Sequence, residues 1–554
     1  MTKSREAAIC SEARKCVARL IHRVTTSSDT NPGDKFVRSG LVSKYWDVDE
    51  PIDHKALAEK AEVAWLEYDM NLDWKVTNEL FEARQLLRGW LKSYRRDVNL
   101  IDITPGEHAI PSRGQVSVEA KLVRKWSCTK EAFSTFSSIC YRVAGMKKAG
   151  WRHISLHLRR EFPDFKRRKR MLKRLYTLCC CEATRKGFTK SRWSFYAGQL
   201  CFQTLLSQVV DECAGSRFAT VPKNNNKRRP INIEPFGNLI VQRQVALPLR
   251  RILHDIDNDL EIGQARHRDR IKDPRYATID FSNASDSLHC ELVRWLFPKK
   301  LVDDLMMSRS PWLETTEGNL WPIRKISAMG NGFTFELLTL TLLAVARVLD
   351  PTATVYGDDV IIKNDVASHF VSIMESIGFT VNSEKSFINS PFRESCGAFF
   401  HDDQGYITRY DFREIESIRD VIVHGNKALN IFLNTKGILA ELFYDYWQDI
   451  INLVPKFLQG PPSPEELESR YLVNLDMEYE KWDADLQQHY THVYMVEYHP
   501  RKRTPTLRDV PRWKIGKILM YLHAGRVSDD LLRGAGKLTI KRRRLIGHLP
   551  TANQ

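Results

Sequence analysis

The chain has 554 residues, more than a single hydrophobic core usually supports, so two or three subdomains are expected. With 43% hydrophobic and 27% charged residues, its composition is that of a globular protein, which excludes a fibrous or low-complexity chain. Its charge is less ordinary, because 84 Lys and Arg face 68 Asp and Glu and leave a net charge of +16 at pH 7. This excess predicts a polyanionic partner, most commonly nucleic acid; a basic protein without such a partner is the alternative.

The cysteines and the apolar segments indicate the cellular setting. Eleven cysteines are scattered without a Cys-x-x-Cys pair, which is typical of a reducing cytoplasm rather than of a disulfide framework or a zinc site. The N-terminus lacks the apolar segment of a signal peptide. The most apolar run, residues 333–349, contains Glu336 and Arg347 and therefore predicts a buried helix, not a membrane span. We expect a cytoplasmic protein with no membrane partner.

Several stretches of the chain are rich in basic residues. Residues 217–230 predict a short strand that leads into a polar turn carrying Lys223, Lys227, Arg228 and Arg229. Such a turn can bind a triphosphate, whose leaving pyrophosphate Lys and Arg would neutralise; a solvent loop is the alternative. Near the C-terminus, residues 501–503 and 541–544 are also basic.

An acid at a strand end follows in residues 276–287. The pattern predicts a short strand that ends on Asp280, then a turn, then a helix that begins at Ser285 or Asp286 as its N-cap and ends before Pro298. A carboxylate at the end of a central strand is one component of a two-metal phosphoryl-transfer site.

A glycine-rich loop occupies residues 326–336 and precedes the long apolar helix. It has no third glycine and no Gly-Lys-Ser/Thr, so it matches neither a dinucleotide fingerprint nor a P-loop. Small residues with the Ser327 and Asn331 side chains could let a base pair or a ribose approach the backbone closely. A plain turn into a core helix is the alternative.

The strongest chemical signal is Gly357-Asp358-Asp359, which lies between β-forming residues. Strand-forming residues run up to Tyr356 and resume at Val360, which predicts a hairpin with two adjacent carboxylates at its tip. Adjacent acids repel each other, and apolar flanks imply a buried hairpin, so a ligand should stabilise them. Mg²⁺ is the expected ligand, since it prefers a few carboxylates with water and substrate phosphates. A solvated turn is the alternative.

Taken in order, these segments resemble the right-hand RNA-dependent RNA polymerases, and most of all the replicase catalytic subunit of the small single-stranded RNA bacteriophages. The resemblance covers residues 215–410 and rests on five segments together, since Gly-Asp-Asp alone is a weak signal. These segments are 221–225, 277–287, 329–336, 356–359 and 392–398.

The resemblance implies an α+β fold of the right-hand type, with an antiparallel-sheet palm and mostly helical fingers and thumb. The implied division is an N-terminal helical region with fingers at 1–215, a basic finger loop and fingers–palm connection at 216–275, a palm at 276–410, and a thumb with a basic C-terminal region at 411–554.

The resemblance also implies roles for single residues. The acids around two Mg²⁺ ions would be Asp280, Asp358 and Asp359, and the proton donor to pyrophosphate would be Lys385. The triphosphate would be held by Lys223, Lys227, Arg228 and Arg229. The ribose 2′-hydroxyl would be read by Asp286, Ser327 and Asn331. Related polymerases often have Asn or an acid four residues after the position of Thr334; this chain has Leu338, so ribose selection cannot be assigned there.

The implied function is RNA-directed synthesis of a positive-strand phage genome in the cytoplasm of a bacterial host, with Mg²⁺ as cofactor. The implied partners are RNA template and product, NTPs, host elongation factors Tu and Ts, and a host ribosomal protein. Two rival hypotheses stay open at this point. A reverse transcriptase uses a similar palm but usually has a bulkier residue in place of Gly357, and a non-catalytic RNA-binding scaffold could use the same basic surface.

Overall fold

A computed structural model describes residues 3–26, 53–71, 73–98, 126–142, 210–224, 227–407, 415–463, 470–500 and 536–547, with a few single residues between these ranges. Helices and short strands are mixed along the described chain, as an α+β fold requires. The basic run at 501–503 lies outside the described residues.

Most of the described helices bury only part of their surface. In the described ranges the helices are α1 (Lys3–Thr26), α2 (His54–Met70), α3 (Asn78–Trp90), α4 (Lys130–Cys140), α5 (Phe236–Asp255), α6 (Gly263–Arg270), α7 (Cys290–Leu296), α8 (Lys299–Ser308), α9 (Thr334–Leu349), α10 (Asn364–Ser376), α11 (Ile418–Asn434) and α12 (Ile438–Leu453).

The strands form several small sheets. They are β1 (Trp126–Cys128), β2 (Val210–Glu212), β3 (Gly215–Asn224), β4 (Lys227–Ile233), β5 (Tyr276–Ile279), β6 (Phe281–Ser282), β7 (Trp312–Glu314), β8 (Leu320–Pro322), β9 (Thr354–Tyr356), β10 (Asp359–Lys363), β11 (Thr380–Val381), β12 (Phe392–Ser395), β13 (Ala398–His401), β14 (Gly405–Tyr406), β15 (Gln459–Gly460), β16 (Leu472–Val473), β17 (Lys481–Asp483), β18 (Gln488–Pro500) and β19 (Gly536–Ile546). The sheets that matter below have the orders β5-β10-β9, β4-β3-β7-β8, β12-β13-β14 and β17-β18-β19.

Helix α9 lies at the centre of the larger hydrophobic core. Its residues are buried almost throughout, and they pack with apolar side chains of α3, α5, α7, α8 and α10 and of the β5-β10-β9 sheet. The buried Glu336 is tolerated because Arg250 lies 2.8 Å and Arg243 3.7 Å from its Oε1. The prediction of a buried helix over 333–349 is confirmed.

A second core joins the two ends of the chain. Apolar residues of α1 pack with α11, α12 and Val496 of β18. By its packing, α1 therefore belongs with the region after residue 411 and not with the rest of the expected 1–215 region. Among the helices that the structure describes, none is both long and apolar enough to cross a membrane.

The expectation of a mostly helical region after residue 411 is right for α11 and α12 and wrong beyond them. The described residues from 459 onward are mainly strands, and β18 pairs with β19 over their whole lengths. The cause is visible in residues 491–496, where buried Val493 and Met495 alternate with exposed His492 and Tyr494. This period of two predicts a half-buried strand.

Candidate active site

The hairpin that carries the two adjacent acids is formed as predicted. β9 and β10 pair antiparallel with Tyr356 opposite Asp359, and Gly357 and Asp358 form the two-residue turn. The φ of Gly357 is +66°, which suits the first central position of a type II′ turn. A Cβ here would lie 2.5 Å from the Phe335 ring, and the Gly357 N–H donates to Thr339 Oγ1 at 3.0 Å. Helix α9 therefore fixes the position of the turn and requires glycine in it.

Asp280 reaches the same place from the neighbouring strand. β5 pairs antiparallel with β10, and Ile279 lies opposite Val360, so the next pair in this register sets Asp280 against Asp359. The strand prediction is confirmed. The predicted helix cap is wrong, because Ala284–Asp286 is a short 3-10 turn and the side chain of His289 caps α7 by accepting from Glu291 N at 3.1 Å.

Burial and neighbouring negative charge perturb the two carboxylates of the hairpin. The pKa of Asp359 is raised to about 7, first because burial disfavours its charged form and then because Asp358 and Asp280 are negative. Asp358 stands exposed at the turn, yet the surrounding protein and then Asp280 raise its pKa as well. The site thus concentrates more negative charge than its own surroundings neutralise.

Among the described residues, Lys385 is the cation nearest to these acids. Two residues around it, Asn382 and Glu394, were not predicted from the sequence. Its Nζ lies 3.8 Å from Asp280 Oδ2 and 3.7 Å from Glu394 Oε1. Burial opposes the charge of Lys385, but Glu394, Asp280 and the hairpin acids outweigh it and raise its pKa. Asn382 Nδ2 donates to Asp280 Oδ2 at 2.8 Å, which orients that carboxylate. Asn382 and Glu394 belong to no recognisable motif, so their role cannot be predicted from the sequence.

Strands β12 and β13 form a hairpin, and its tip contacts the site. The backbone N–H of Cys396 donates to Asp359 Oδ2 at 3.1 Å. Cys396 has a φ of +52°, so the turn holds an unusual backbone conformation at this contact. The contact occupies one oxygen of Asp359 and leaves Oδ1 for another ligand.

The basic segment is a hairpin of two strands, not a short strand and a polar turn. Lys227, Arg228 and Arg229 all lie within β4, so alternate residues point to opposite faces. Arg228 Nε donates to Thr220 Oγ1 at 2.7 Å, and its Nη1 lies 3.2 Å from His54 Nδ1 on the far side of the sheet. The structure therefore separates Arg228 from the other predicted triphosphate ligands.

The remaining cations of this hairpin share an electrostatic field with the acids. Burial lowers the pKa of Lys223, and nearby Arg229, Lys385 and Lys227 lower it further, while Asp280 opposes them. Arg229 is exposed, and its positive charge offsets part of the rise in the pKa of Asp358. Lys223 and Arg229 thus lie on the side of the sheet that faces the carboxylates, and Lys227 lies close to Lys223.

Asp286 lies in a buried cluster of charged side chains, which consists of Asp69, Asp286 and Lys325 and packs against the Trp65 ring. Its Oδ1 accepts from Trp65 Nε1 at 2.9 Å and from Lys325 Nζ at 3.3 Å, and Lys325 is fully buried. The ammonium of Lys325 also lies 3.5 Å from the centre of the Trp65 ring and 4.0 Å from Asp69 Oδ1. Asp286 therefore has a structural partner that the sequence analysis did not foresee, and one side of its carboxylate is already occupied.

The glycine-rich loop brings Ser327 and Asn331 close to the start of α9. Ser327 Oγ is buried and has no hydrogen-bond partner among the described residues. Asn331 Oδ1 accepts from Phe333 N at 3.0 Å, and its Nδ2 lies 3.5 Å from the buried Glu234. A Cβ at Gly330, whose φ is +110°, would lie 2.2 Å from the Asn232 carbonyl oxygen. The loop is thus held tightly, with one unsatisfied hydroxyl.

The donor set suits a hard divalent cation. Asp280 and Asp359 each have one oxygen in a recorded hydrogen bond and a second oxygen that accepts none within the described chain, and Asp358 is exposed. No three potential ligands in the described ranges converge on a single point as they stand. Mg²⁺ does not need such a cage, because it keeps several waters and takes one or two carboxylates together with substrate phosphates.

Comparison with known proteins agrees with this chemistry. The sequence model of a family described as RNA replicase, beta-chain, matches residues 182–544, more than half of the chain. The RNA-directed RNA polymerase subunit beta of Enterobacteria phage SP is 38% identical over 233 residues, which are 40% of this chain and 40% of the relative. That of Escherichia virus Qbeta is 34% identical over 268 residues, which are 47% of this chain and 45% of the relative.

These matches span less than half the length of the curated relatives. Among solved structures, the RNA-dependent RNA polymerase of a human picorbirnavirus aligns with 44% of this chain and 58% of its own, at 20% identity and a TM-score of 0.29. A score this low does not bear on the fold.

Proposed function

Because this chain belongs to the RNA replicase beta-chain family, we propose that it is an RNA-directed RNA polymerase that copies a positive-strand phage genome by two-metal nucleotidyl transfer. The observation that carries the proposal is the group of three aspartates that adjacent strands bring together, where burial and then the charges of Asp358 and Asp280 raise the pKa of Asp359 to about 7. Such a group is stabilised by divalent cations, and two cations can clamp the attacking and leaving oxygens of a phosphoryl transfer.

In this proposal the fold is a right hand. The palm corresponds to residues 276–410, where β5, β9 and β10 carry the acids on an antiparallel sheet. The β3–β4 hairpin serves as the finger loop over the palm. Helices α11 and α12 form the thumb, and α1 packs on them.

The residues divide the chemistry between them. Asp280, Asp358 and Asp359 hold the cations, and bound Mg²⁺ would lower the pKa of the attacking 3′-hydroxyl and neutralise charge on the triphosphate. Lys223 and Arg229, with Lys227 beside them, bind the phosphates from the finger side. Lys385 remains protonated because four carboxylates raise its pKa, so it can donate a proton to the leaving pyrophosphate.

Ribose selection falls to the glycine-rich loop and its surroundings. The unsatisfied Ser327 hydroxyl can exchange a hydrogen bond with a 2′-hydroxyl, and Asn331 is oriented beside it by Glu234 and the Phe333 N–H. Asp286 contributes through the oxygen that Trp65 and Lys325 leave open. Leu338 is buried in the core and takes no part.

A beta chain implies an assembly with other subunits. By resemblance, the proposed partners are host elongation factors Tu and Ts and a host ribosomal protein, and the proposed location is the cytoplasm of the bacterial host. Active enzyme from this chain alone would contradict the need for these partners.

The test is labelled-NTP incorporation on an RNA template by the chain purified with its co-purifying proteins, with and without Mg²⁺. We expect template-dependent synthesis that requires the metal, prefers rNTPs over dNTPs and is lost in Asp358→Asn. Preference for dNTPs would favour the reverse transcriptase instead. RNA binding that is equal in wild type and variant, with no synthesis in either, would favour the scaffold.

A further inference from the structure

The three-stranded sheet near the C-terminus exposes a row of aromatic rings. Tyr490, His492 and Tyr494 occupy alternate positions of β18, so they share one face, while Val493 and Met495 on the other face are buried. Tyr490 and His492 stand edge to face with their centroids 5.6 Å apart. Phe457, which is 42% exposed, lies 5.7 Å from Tyr494 and extends the row.

A cation stands opposite each of these rings on a neighbouring strand. The register pairs Tyr494 with Arg542 and His492 with Arg544 across β18 and β19, and pairs Tyr490 with Lys481 across β17 and β18. The guanidinium of Arg544 lies 3.8 Å from the centre of the Tyr490 ring, close enough for a cation–π contact. We call these seven side chains the aromatic face: Phe457, Lys481, Tyr490, His492, Tyr494, Arg542 and Arg544.

The cations of the aromatic face are less neutralised than those on the reverse of the same strand. Arg543 points to the opposite face and donates from Nε and Nη2 to the two carboxylate oxygens of Glu497, at 2.6 and 2.8 Å. Arg544 pairs with Asp483. Arg542 has no ion-pair partner within the described residues, and Lys481 has none either. The face therefore keeps a positive charge that an anionic ligand would neutralise.

We propose that the aromatic face binds single-stranded RNA, whose bases stack on the rings while its phosphates meet the cations. This inference rests on the proposed function, because that function makes RNA a ligand of the protein. Exposed rings on a sheet, set among Arg and Lys, are the arrangement that single-stranded nucleic acid requires, because every base has a face that can stack. A duplex keeps its bases paired inside and would meet only the cations.

The test measures binding of a fluorescent oligouridine of about 15 nucleotides, a length within the usual site sizes, to the chain purified with its co-purifying proteins. Tyr494→Ala and His492→Ala should each weaken binding about ten-fold, since each removes one stacking platform. Arg542→Gln should weaken it less and reduce the salt dependence by about one phosphate contact. Binding of a duplex of equal length should change little in the two aromatic variants.

The two matched controls lie outside the aromatic face. Arg543→Gln removes the adjacent arginine from the reverse face, and Tyr444→Ala removes an exposed tyrosine of α12. Both should bind oligouridine within about two-fold of wild type. Cross-linking with 5-iodouridine RNA should label peptides that contain His492 or Tyr494, which a purely structural role of these residues would not produce.

Three outcomes would overturn the inference. Unchanged oligouridine affinity in the face variants would do so, as would an equal loss for the duplex. Loss of a co-purifying protein with unchanged RNA affinity would make the face a protein interface. The proposed function has its own test: it is contradicted if the wild-type protein binds RNA but synthesises none. In that case, weakened oligouridine binding in the face variants would still support the inference.

Discussion

Asp280 and Asp286 lie six residues apart in the sequence but belong to two acid-rich clusters that differ in how their charge is neutralised. Asp286 and Asp69 share the buried ammonium of Lys325, and the Trp65 ring closes this cluster from the side. Asp280, Asp358 and Asp359 share Lys385, whose side chain is 49% exposed and no nearer than 3.8 Å to Asp280. The first cluster, which we call the sealed cluster, is buried, has one lysine for two acids and leaves one Asp286 oxygen outside its hydrogen bonds. The second, the open cluster, has one half-exposed lysine for three acids and carries more uncompensated negative charge.

The difference separates a structural from a catalytic use of the same residue type. Burial is the first cause of a raised pKa in both Asp286 and Asp359. At Asp286 the lysine and the indole N–H oppose that cause more than Asp69 adds to it, whereas at Asp359 two carboxylates come directly after burial as causes of the rise. A cluster that its own cations satisfy holds elements together. A cluster that lacks them gains most from an external cation.

Asp358→Asn should produce the largest effect on activity. It removes a proposed metal ligand, so we expect RNA synthesis to fall by roughly 10³-fold or more, corresponding to several kcal/mol of transition-state stabilisation. Because the change also relieves repulsion with Asp280 and Asp359, the melting temperature without Mg²⁺ should stay equal or rise. Asp365→Asn, an exposed acid on α10, serves as the control and should leave both quantities unchanged.

Lys325→Met should produce the largest effect on stability. It leaves two buried carboxylates without their cation, which costs about 3–5 kcal/mol for a buried pair. Denaturant unfolding measures this loss. Lys363→Met is the matched control, since Lys363 is 48% exposed and 4.0 Å from Asp350, and should cost less than about 1 kcal/mol. If both variants lost the same free energy of unfolding, the buried Lys325 would stabilise the protein no more than the half-exposed Lys363 does.

Features formed by residues close together in the sequence could be predicted, whereas contacts between distant residues could not. The acidic hairpin and the strand before Asp280 were found because β-forming residues flank a turn within a few positions. The sealed cluster was missed because Trp65 lies 221 residues, and Lys325 39 residues, from Asp286. The orientation of Arg228 could not be predicted because placing it in a turn hid the alternation of a strand. Motifs locate the reacting groups, but the groups that orient them come from distant segments.

The open cluster should also make Mg²⁺ binding depend on pH. A carboxyl with a pKa near 7 in the folded chain, against an ordinary value of 3.8, binds more protons folded than unfolded. Without metal, its contribution to stability is therefore largest below the ordinary pKa and is lost as the pH rises from about 4 to 7. Mg²⁺ needs the ionised form, so its affinity should increase over this window.

The measurement is the rise in melting temperature caused by Mg²⁺ between about pH 5.5 and 8.5. We expect a small rise at the acid end and a larger one that levels off above pH 7 to 8. Asp359→Asn removes the titrating group and should flatten the profile. If Mg²⁺ raised the melting temperature of the wild type equally at pH 6 and pH 8, the raised pKa of Asp359 would be contradicted.

The smallest expected effect distinguishes the two faces of β4. Arg229 faces the acids, so Arg229→Gln should raise the KM for NTPs by about ten-fold, the loss of one charge-assisted phosphate contact. Arg228 binds Thr220 and His54 on the other face, so Arg228→Gln should change KM by less than about two-fold and lower stability by about 1 kcal/mol. Steady-state kinetics and thermal melts of both variants test this. The opposite ranking would mean that the hairpin turns its other face to the triphosphate, and that strand alternation does not decide which cations act.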